Sequence, residues 1–304
     1  MLQFLTSVII ASLFLPTGAL FLTERAVDFS YSWPASAEDG PQRLLNNSLG
    51  IEITADAVLV VDGTTDATLY AKNHHRVQPV ASITKLLTAL VVLQSDIDLS
   101  EAVTVTEEDK RAGNIVYVLT GEQVTVRDLL FLSLVASSNE ATAALARVSG
   151  IENFSSAMNG EAYRLGMTDS TFVDPTGLEP GNISSAADLV KLGRAAFANP
   201  LIAQAITTAE YRFTVTNTGR QAVAYSTDQL LGSFLDREQY RIIGGKTGYL
   251  DEAGYCLLVA VRQENGPTLY LALLGSASQT DRWQEAKGLV DWVFRNYQWP
   301  AATN

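Results

Sequence analysis

One cysteine, Cys256, and two histidines, His74 and His75, stand among 304 residues. A lone cysteine excludes an intrachain disulfide and a thiolate metal cluster. Two adjacent histidines cannot chelate one metal between them and no third exists, so no metal site is expected. Basic residues are scarce as well: 21 Lys and Arg against 33 Asp and Glu leave a net charge of −12. No basic stripe stands out, which argues against nucleic acid as a partner. Charge is missing altogether from residues 1–22. About 20 apolar residues suffice to cross a bilayer, so this run reads as a cleaved export signal or a retained membrane anchor. Ala35-Ser36-Ala37 looks like a cleavage triplet but lies well past the run. No Lys or Arg precedes the run, and Pro16 and Gly18 interrupt it. On either reading the rest of the chain is expected to work outside the cytoplasm, and any membrane attachment runs through residues 1–22.

Hydrophobic residues make up 47% of the chain and charged residues 18%, which excludes extensive disorder. A chain of this length can bury a full core, as one large domain or two modest ones. Residues 23–50 are polar, broken by Pro34, Gly40 and Pro41, and read as a linker; residues 51–299 carry the regular patterns. Ala57 to Val61 and Ala67 to Ala71 flank a turn over Asp62-Gly63-Thr64-Thr65-Asp66, the pattern of a β-hairpin. Residues 102–106 and 115–119 alternate apolar and polar in short runs. Thr125-Val126-Arg127-Asp128 is a capping box opening an apolar run to Val135. Further helices are expected over Ala141 to Val148, over 151–167, and from Ser185 to Asn199. From about residue 210 strands return: Tyr211 to Val215, Arg241 to Lys246, Tyr255 to Arg262, and Thr268 to Leu274. Glu264-Asn265-Gly266 joins the last two as a tight turn. Trp283 to Tyr297 closes the chain as an amphipathic helix. This order predicts an α+β domain whose first and last segments pair in one antiparallel sheet flanked by helices.

The stretch from Pro79 to Leu93 organises the chain. Residues 86–93 are almost wholly apolar, as in a helix buried on most sides, and Pro79 marks where that helix is about to begin. Ser82 then falls in or near the first turn, with Lys85 three residues on and on the same face. Desolvation and the positive end of the helix dipole both lower the proton affinity of such a lysine. A neutral lysine can take the serine proton, which a serine hydroxyl needs in order to become a nucleophile. Taken alone, the stretch reads more simply as a serine cap and a lysine reaching for water.

Two further motifs change that reading. Ser82-x-x-Lys85, Ser137-x-Asn139 and Lys246-Thr247-Gly248 stand in order. The first opens a buried helix, the second lies between two helices, and the third ends a strand followed by a hairpin. Ser137 to Glu140 also fits a capping box. The set resembles the serine penicillin-recognising enzymes, which share these elements around one cleft. Asp174-Pro175-Thr176-Gly177-Leu178, Gly244 to Tyr255 and the closing Asp291-Trp292-Val293-Phe294 narrow the resemblance to the D-alanyl-D-alanine carboxypeptidase family, the low-molecular-weight penicillin-binding proteins. It implies a β-lactamase/transpeptidase-like fold with a mostly helical subdomain, in an exported protein of the bacterial envelope. It further implies peptidoglycan stem peptides as substrate and β-lactam antibiotics as inhibitors, with no cofactor.

By that resemblance Ser82 attacks the carbonyl between two D-alanines and forms an acyl-enzyme, with Lys85 as base. Ser137 and Lys246 relay a proton to the leaving amine, and Asn139 orients Lys85 and the substrate amide. The backbone N–H groups of Ser82 and Tyr249 form the oxyanion hole. Lys246, Thr247, Gly248 and Tyr249 line the substrate, and Thr247 and Arg282 are the candidates for its terminal carboxylate. Where the family often has Asn ahead of a Leu-Leu pair, this chain has Asp228, to which no role is assigned. Three alternatives stand beside the carboxypeptidase: a D,D-endopeptidase acting on cross-links, a serine β-lactamase, and an inactive wall-binding module. Glu179-Pro180-Gly181-Asn182 superficially matches the deacylation loop of class A β-lactamases, but its Glu-to-Asn spacing is one residue short. All motif residues are intact, which speaks against an inactive module.

Overall fold

The structure is a computed structural model that describes residues 40–113, 115–237 and 239–300. The apolar run 1–22 and the Ala35-Ser36-Ala37 triplet lie outside these. Among the described residues no helix is long and apolar enough to cross a membrane.

Five strands form the central sheet: β1 (Ala57–Asp62), β2 (Thr68–Lys72), β3 (Tyr240–Leu250), β4 (Gly254–Gln263) and β5 (Thr268–Ser276). All neighbours are antiparallel, in the order β3-β4-β5-β1-β2. The first and last segments therefore meet as expected, with Val61 opposite Tyr270. Every residue of β1 is buried, and alternation of side chains explains why a continuous apolar run is needed. Ala57, Leu59 and Val61 join the large cluster built with the helices, whereas Val58 and Val60, equally buried, do not. Their face is covered by α7 (Gln279–Asn296), which packs on β4 and β5.

The helices on the other side are α1 (Thr84–Leu93), α2 (Val126–Val135), α3 (Asn139–Val148), α4 (Phe154–Arg164), α5 (Ala186–Ala198) and α6 (Pro200–Ile206). α5 lies against the sheet: a Cβ on Gly193 would stand 3.2 Å from Leu258, and one on Gly244 only 2.5 Å from Phe197. α1 is buried all round from Thr84 to Val92, as its lack of a polar face requires. The Thr125 capping box forms as expected, Thr125 Oγ1 accepting the Asp128 N–H at 3.1 Å.

Several boundaries differ from expectation. Ala102–Thr104 pairs with Gln123–Thr125, and residues 115–119 form no strand, leaving Ile115, Val116 and Leu119 exposed. Their alternation has no covering layer to bury its apolar side. Glu210–Thr214 has an unforeseen hairpin partner in Gln221–Tyr225. α7 starts four residues before Trp283 because Ser278 caps it, accepting the Asp281 N–H at 3.0 Å. Within the stretch read as a linker, Gln42–Arg43 pairs with Tyr297–Gln298, and Trp292 Nε1 donates to Ser48 Oγ at 2.8 Å. The Lys246-Thr247-Gly248 motif lies inside β3, which runs on to Leu250, rather than at a strand end.

Candidate active site

Ser82 sits in a single 3₁₀ turn, Ala81–Ile83, immediately before α1. Ala81 has φ 48°, a left-handed conformation uncommon for a residue with a Cβ. Two glycines press on this turn from outside. A Cβ on Gly177, itself at φ 80°, would lie 2.1 Å from Ala81 O. One on Gly248 would lie 2.6 Å from Val80 O and 3.3 Å from Ser82 N. Only glycine permits backbone to approach backbone so closely, and β3 is thereby laid directly against the serine.

Lys85 is fully buried, and its Nζ has three partners: Ser82 Oγ at 2.9 Å, Asn139 Oδ1 at 2.8 Å and Thr176 O at 2.5 Å. Asn139 is oriented by its own amide, which donates to Ala112 O at 3.1 Å and Gly113 O at 3.4 Å, so its oxygen faces the lysine. Burial lowers the Lys85 ammonium to about 7 against the opposing pull of the Asp174 and Glu140 carboxylates. A neutral amine has two hydrogens and one lone pair. Asn139 Oδ1 and Thr176 O can only accept, so both hydrogens are taken and the lone pair is left for the Ser82 hydroxyl.

The loop that supplies Thr176 O is held from within. Asp174 Oδ1 accepts from Thr176 N at 2.6 Å and Gly177 N at 3.2 Å, and Oδ2 accepts from Glu179 N at 3.0 Å. Asn182, fully buried, donates to Asp174 O at 2.8 Å and to Thr84 Oγ1 at 3.2 Å. Glu179 itself is exposed and is not among the residues that line the cleft with Ser82.

On the opposite wall Ser137 Oγ accepts from Lys246 Nζ at 2.8 Å. Lys246 is fully buried and also donates to Thr247 O at 2.9 Å. Its proton affinity is well below that of an ordinary lysine, first through burial and then through the nearby cations Lys85 and Arg282. The expected capping box at Ser137 is corrected: Ser138 caps α3, its Oγ accepting from Ala141 N at 3.2 Å. Ser137, one residue outside the helix at φ 57°, turns its hydroxyl to Lys246 instead.

Ser82, Ser137, Asn139, Thr247, Gly248, Tyr249 and Arg282 all border one cleft of about 680 Å³. Thr247 Oγ1 meets Thr227 Oγ1 at 2.8 Å. Tyr249 stacks on Tyr255 at 4.4 Å between ring centres and donates its hydroxyl to Asp251 at 2.7 Å. Arg282 is buried, donates from one terminal nitrogen to Gly248 O at 3.1 Å and Cys256 O at 3.3 Å, and lies over Trp283.

A family model described as D-alanyl-D-alanine carboxypeptidase matches residues 43–278. The chain belongs to this family of serine peptidases. A D-alanyl-D-alanine endopeptidase of Pseudomonas aeruginosa is 34% identical over 80% of this chain and 78% of its own length. A D-alanyl-D-alanine carboxypeptidase of Mycobacterium tuberculosis is 34% identical over 79% of this chain and 82% of its own. Among solved structures, a D-alanyl-D-alanine carboxypeptidase from Mycobacterium tuberculosis superposes with a TM-score of 0.75 at 29% identity, covering 86% of this chain and 98% of that one. A Streptomyces DD-transpeptidase gives 0.74 at 28% identity, covering 82% and 100%. The fold of these penicillin-recognising enzymes is thus the fold of this chain.

Within this family member the three motifs converge as the sequence reading required. That reading missed Thr176 O as the third partner of Lys85, and with it the Asp174–Asn182 scaffold. Asp174 to Leu178 was legible as a family pattern, but a backbone carbonyl leaves no mark in a sequence. Asp228 was singled out without a role; its carboxyl is buried, with Oδ1 accepting from Leu230 N at 2.9 Å.

Proposed function

We infer that the chain is a serine D-Ala-D-Ala carboxypeptidase that removes the terminal D-alanine of peptidoglycan stem peptides through an acyl-enzyme on Ser82. The observation that carries this is the set of three partners around the Lys85 amine, two of them unable to donate. With the amine neutral, its lone pair takes the Ser82 proton as Oγ attacks the scissile carbonyl. The Ser82 and Tyr249 N–H groups stabilise the oxyanion; β3 is an edge strand, so alternate N–H groups on its outer side are free of β4. Lys246 passes a proton through Ser137 to the leaving amine. Water then releases the acyl group. Thr247 and Arg282 hold the terminal carboxylate of the substrate, and Gly248 and Tyr249 border it.

A second reading, cleavage of D,D cross-links, is supported by the relatives of Pseudomonas aeruginosa and Escherichia coli that are named endopeptidases, the latter 33% identical over 80% of this chain. Incubation with purified muropeptides, read by mass, separates the two. Loss of one alanine from monomers marks the carboxypeptidase, and conversion of dimers to monomers marks the endopeptidase. β-Lactams are expected to acylate Ser82 and remain bound, and an adduct mapped elsewhere rejects the nucleophile. Arg282→Ala should lower kcat/KM for acyl-D-Ala-D-Ala about ten- to a hundredfold, since a charge-assisted hydrogen bond is worth roughly 1.5–3 kcal/mol. Export through residues 1–22, into the envelope where this substrate lies, completes the reading.

A further inference from the structure

Two buried polar atoms of opposite sign beside the cleft lack a hydrogen-bond partner among the described residues: Oδ2 of Asp228 and Nε of Arg282. Asp228 Oδ2 is wedged against Gly245, where a Cβ would lie 2.2 Å away. Gly245 and Thr247 share one face of β3, because side chains alternate along a strand. Thr227, the neighbour of Asp228 in the chain, meets Thr247 across 2.8 Å. The residues on either side of Asp228, namely Thr227 and Gln229, border the cleft, while Asp228 stays behind them. Its carboxyl therefore lies directly behind the wall that presents Thr247 and Arg282. Three charged groups act on it: Arg282 on α7 and Lys246 on β3 favour its ionisation, and Asp236, in the turn before β3, opposes it. Burial outweighs the Leu230 N–H and the two cations and pushes the carboxyl up to about 6.

We propose that Asp228 is a positioning residue that couples recognition of the substrate's free carboxylate to uptake of a proton. This rests on Thr247 and Arg282 as the carboxylate site. A carboxylate bound there draws on the same guanidinium as Asp228 and repels it, so the ligand raises the proton affinity of Asp228. The sign follows from linkage. Below about 6 Asp228 is already neutral, and Arg282 meets the ligand unopposed. As pH rises from there to the higher value of the liganded site, Asp228 must be protonated on binding or left facing a like charge, and affinity for the carboxylate falls. A ligand with a terminal amide shows no such fall.

The test is the ratio of kcat/KM for acyl-D-Ala-D-Ala to kcat/KM for its C-terminal amide, followed over the pH range in which Asp228 titrates. Titration of Lys85 affects both substrates and cancels. The ratio should favour the acid and fall about three- to tenfold with rising pH, the fold-change that a rise of about half to one pKa unit on binding produces. Asp228→Asn should flatten that fall. A ratio that favours the acid but stays constant with pH in the unmodified enzyme overturns the coupling while sparing the carboxylate site. A ratio near one at every pH overturns the site and the coupling together. A fall that persists in Asp228→Asn assigns the proton to another group and rejects Asp228. Should Asp228→Asn not fold, the unmodified pH series still decides. Calorimetry of Ser82→Ala with the acid peptide, in two buffers of different ionisation enthalpy, reads the proton directly, and absence of uptake near neutral pH rejects the proposal.

Discussion

Lys85 on the helical wall and Lys246 on the strand wall are both fully buried, and each is within hydrogen-bond distance of a serine hydroxyl, at 2.9 and 2.8 Å. They differ in what else surrounds them. Lys85 has two fixed acceptors besides Ser82 and two carboxylates in its field, Asp174 and Glu140. Lys246 has one further acceptor, Thr247 O, and is surrounded by the cations Lys85 and Arg282 with Asp228 as counter-charge. Burial alone makes any lysine a weaker base. The fixed acceptors then decide where the remaining lone pair points, which aims Lys85 at Ser82, while Lys246 faces Ser137 and is the carrier only in the proposed mechanism.

The largest test of this contrast is Lys85→Ala. Acylation of Ser82 by a labelled penicillin should fall about 10²–10⁴-fold, the usual worth of a general base, with the thermal transition nearly unchanged. Acylation within a few-fold of the parent would assign the base elsewhere. Gly177→Ala should come next. Its Cβ would meet Ala81 O at 2.1 Å, so the Ser82 turn must shift, and displacements of about 1 Å cost on the order of 100-fold in rate. Gly121→Ala, at φ 88° but in open space, should show backbone strain of about 1–3 kcal/mol in denaturation with acylation retained. Equal losses of acylation in both would mean that the close approach of Gly177 has no special part.

The pH profile sharpens the contrast between the lysines. With Lys85 at about 7, the neutral fraction and hence the acylation rate should rise as pH increases through that value and level off above it. Lys246→Ala should lower the plateau but leave this acid limb in place. A limb that moves by a full unit in Lys246→Ala would show that the two lysines titrate as one system. The smallest effects are expected at the adjacent serines. Ser138→Ala removes a helix cap and should cost about 1 kcal/mol in chemical denaturation with little change in acylation. Ser137→Ala should do the reverse.

The parts legible in the sequence are those whose geometry is local. The apolar runs of β1 and α1 announced their burial, and the three-residue spacing of Ser82 and Lys85 placed them on one face because helical pitch is the same everywhere. Boundaries failed where a distant partner decides. Residues 115–119 alternate but find no strand, and Ser137 and Ser138 exchange roles because Lys246, 109 residues away, claims the Ser137 hydroxyl.

By itself the sequence determined most of the elements, their order and the placing of Ser82 beside Lys85, since each depends on neighbours within a few residues. The tertiary structure alone decided the lowered proton affinity of Lys85 and the surroundings of Asp228. Asn139 and Thr176 reach Lys85 from 54 and 91 residues away, and the low dielectric that lowers the proton affinity of the amine exists only once those segments exclude water. A proton's position at a buried site is set by the few acceptors packed against it, and no local pattern in the chain records which those are.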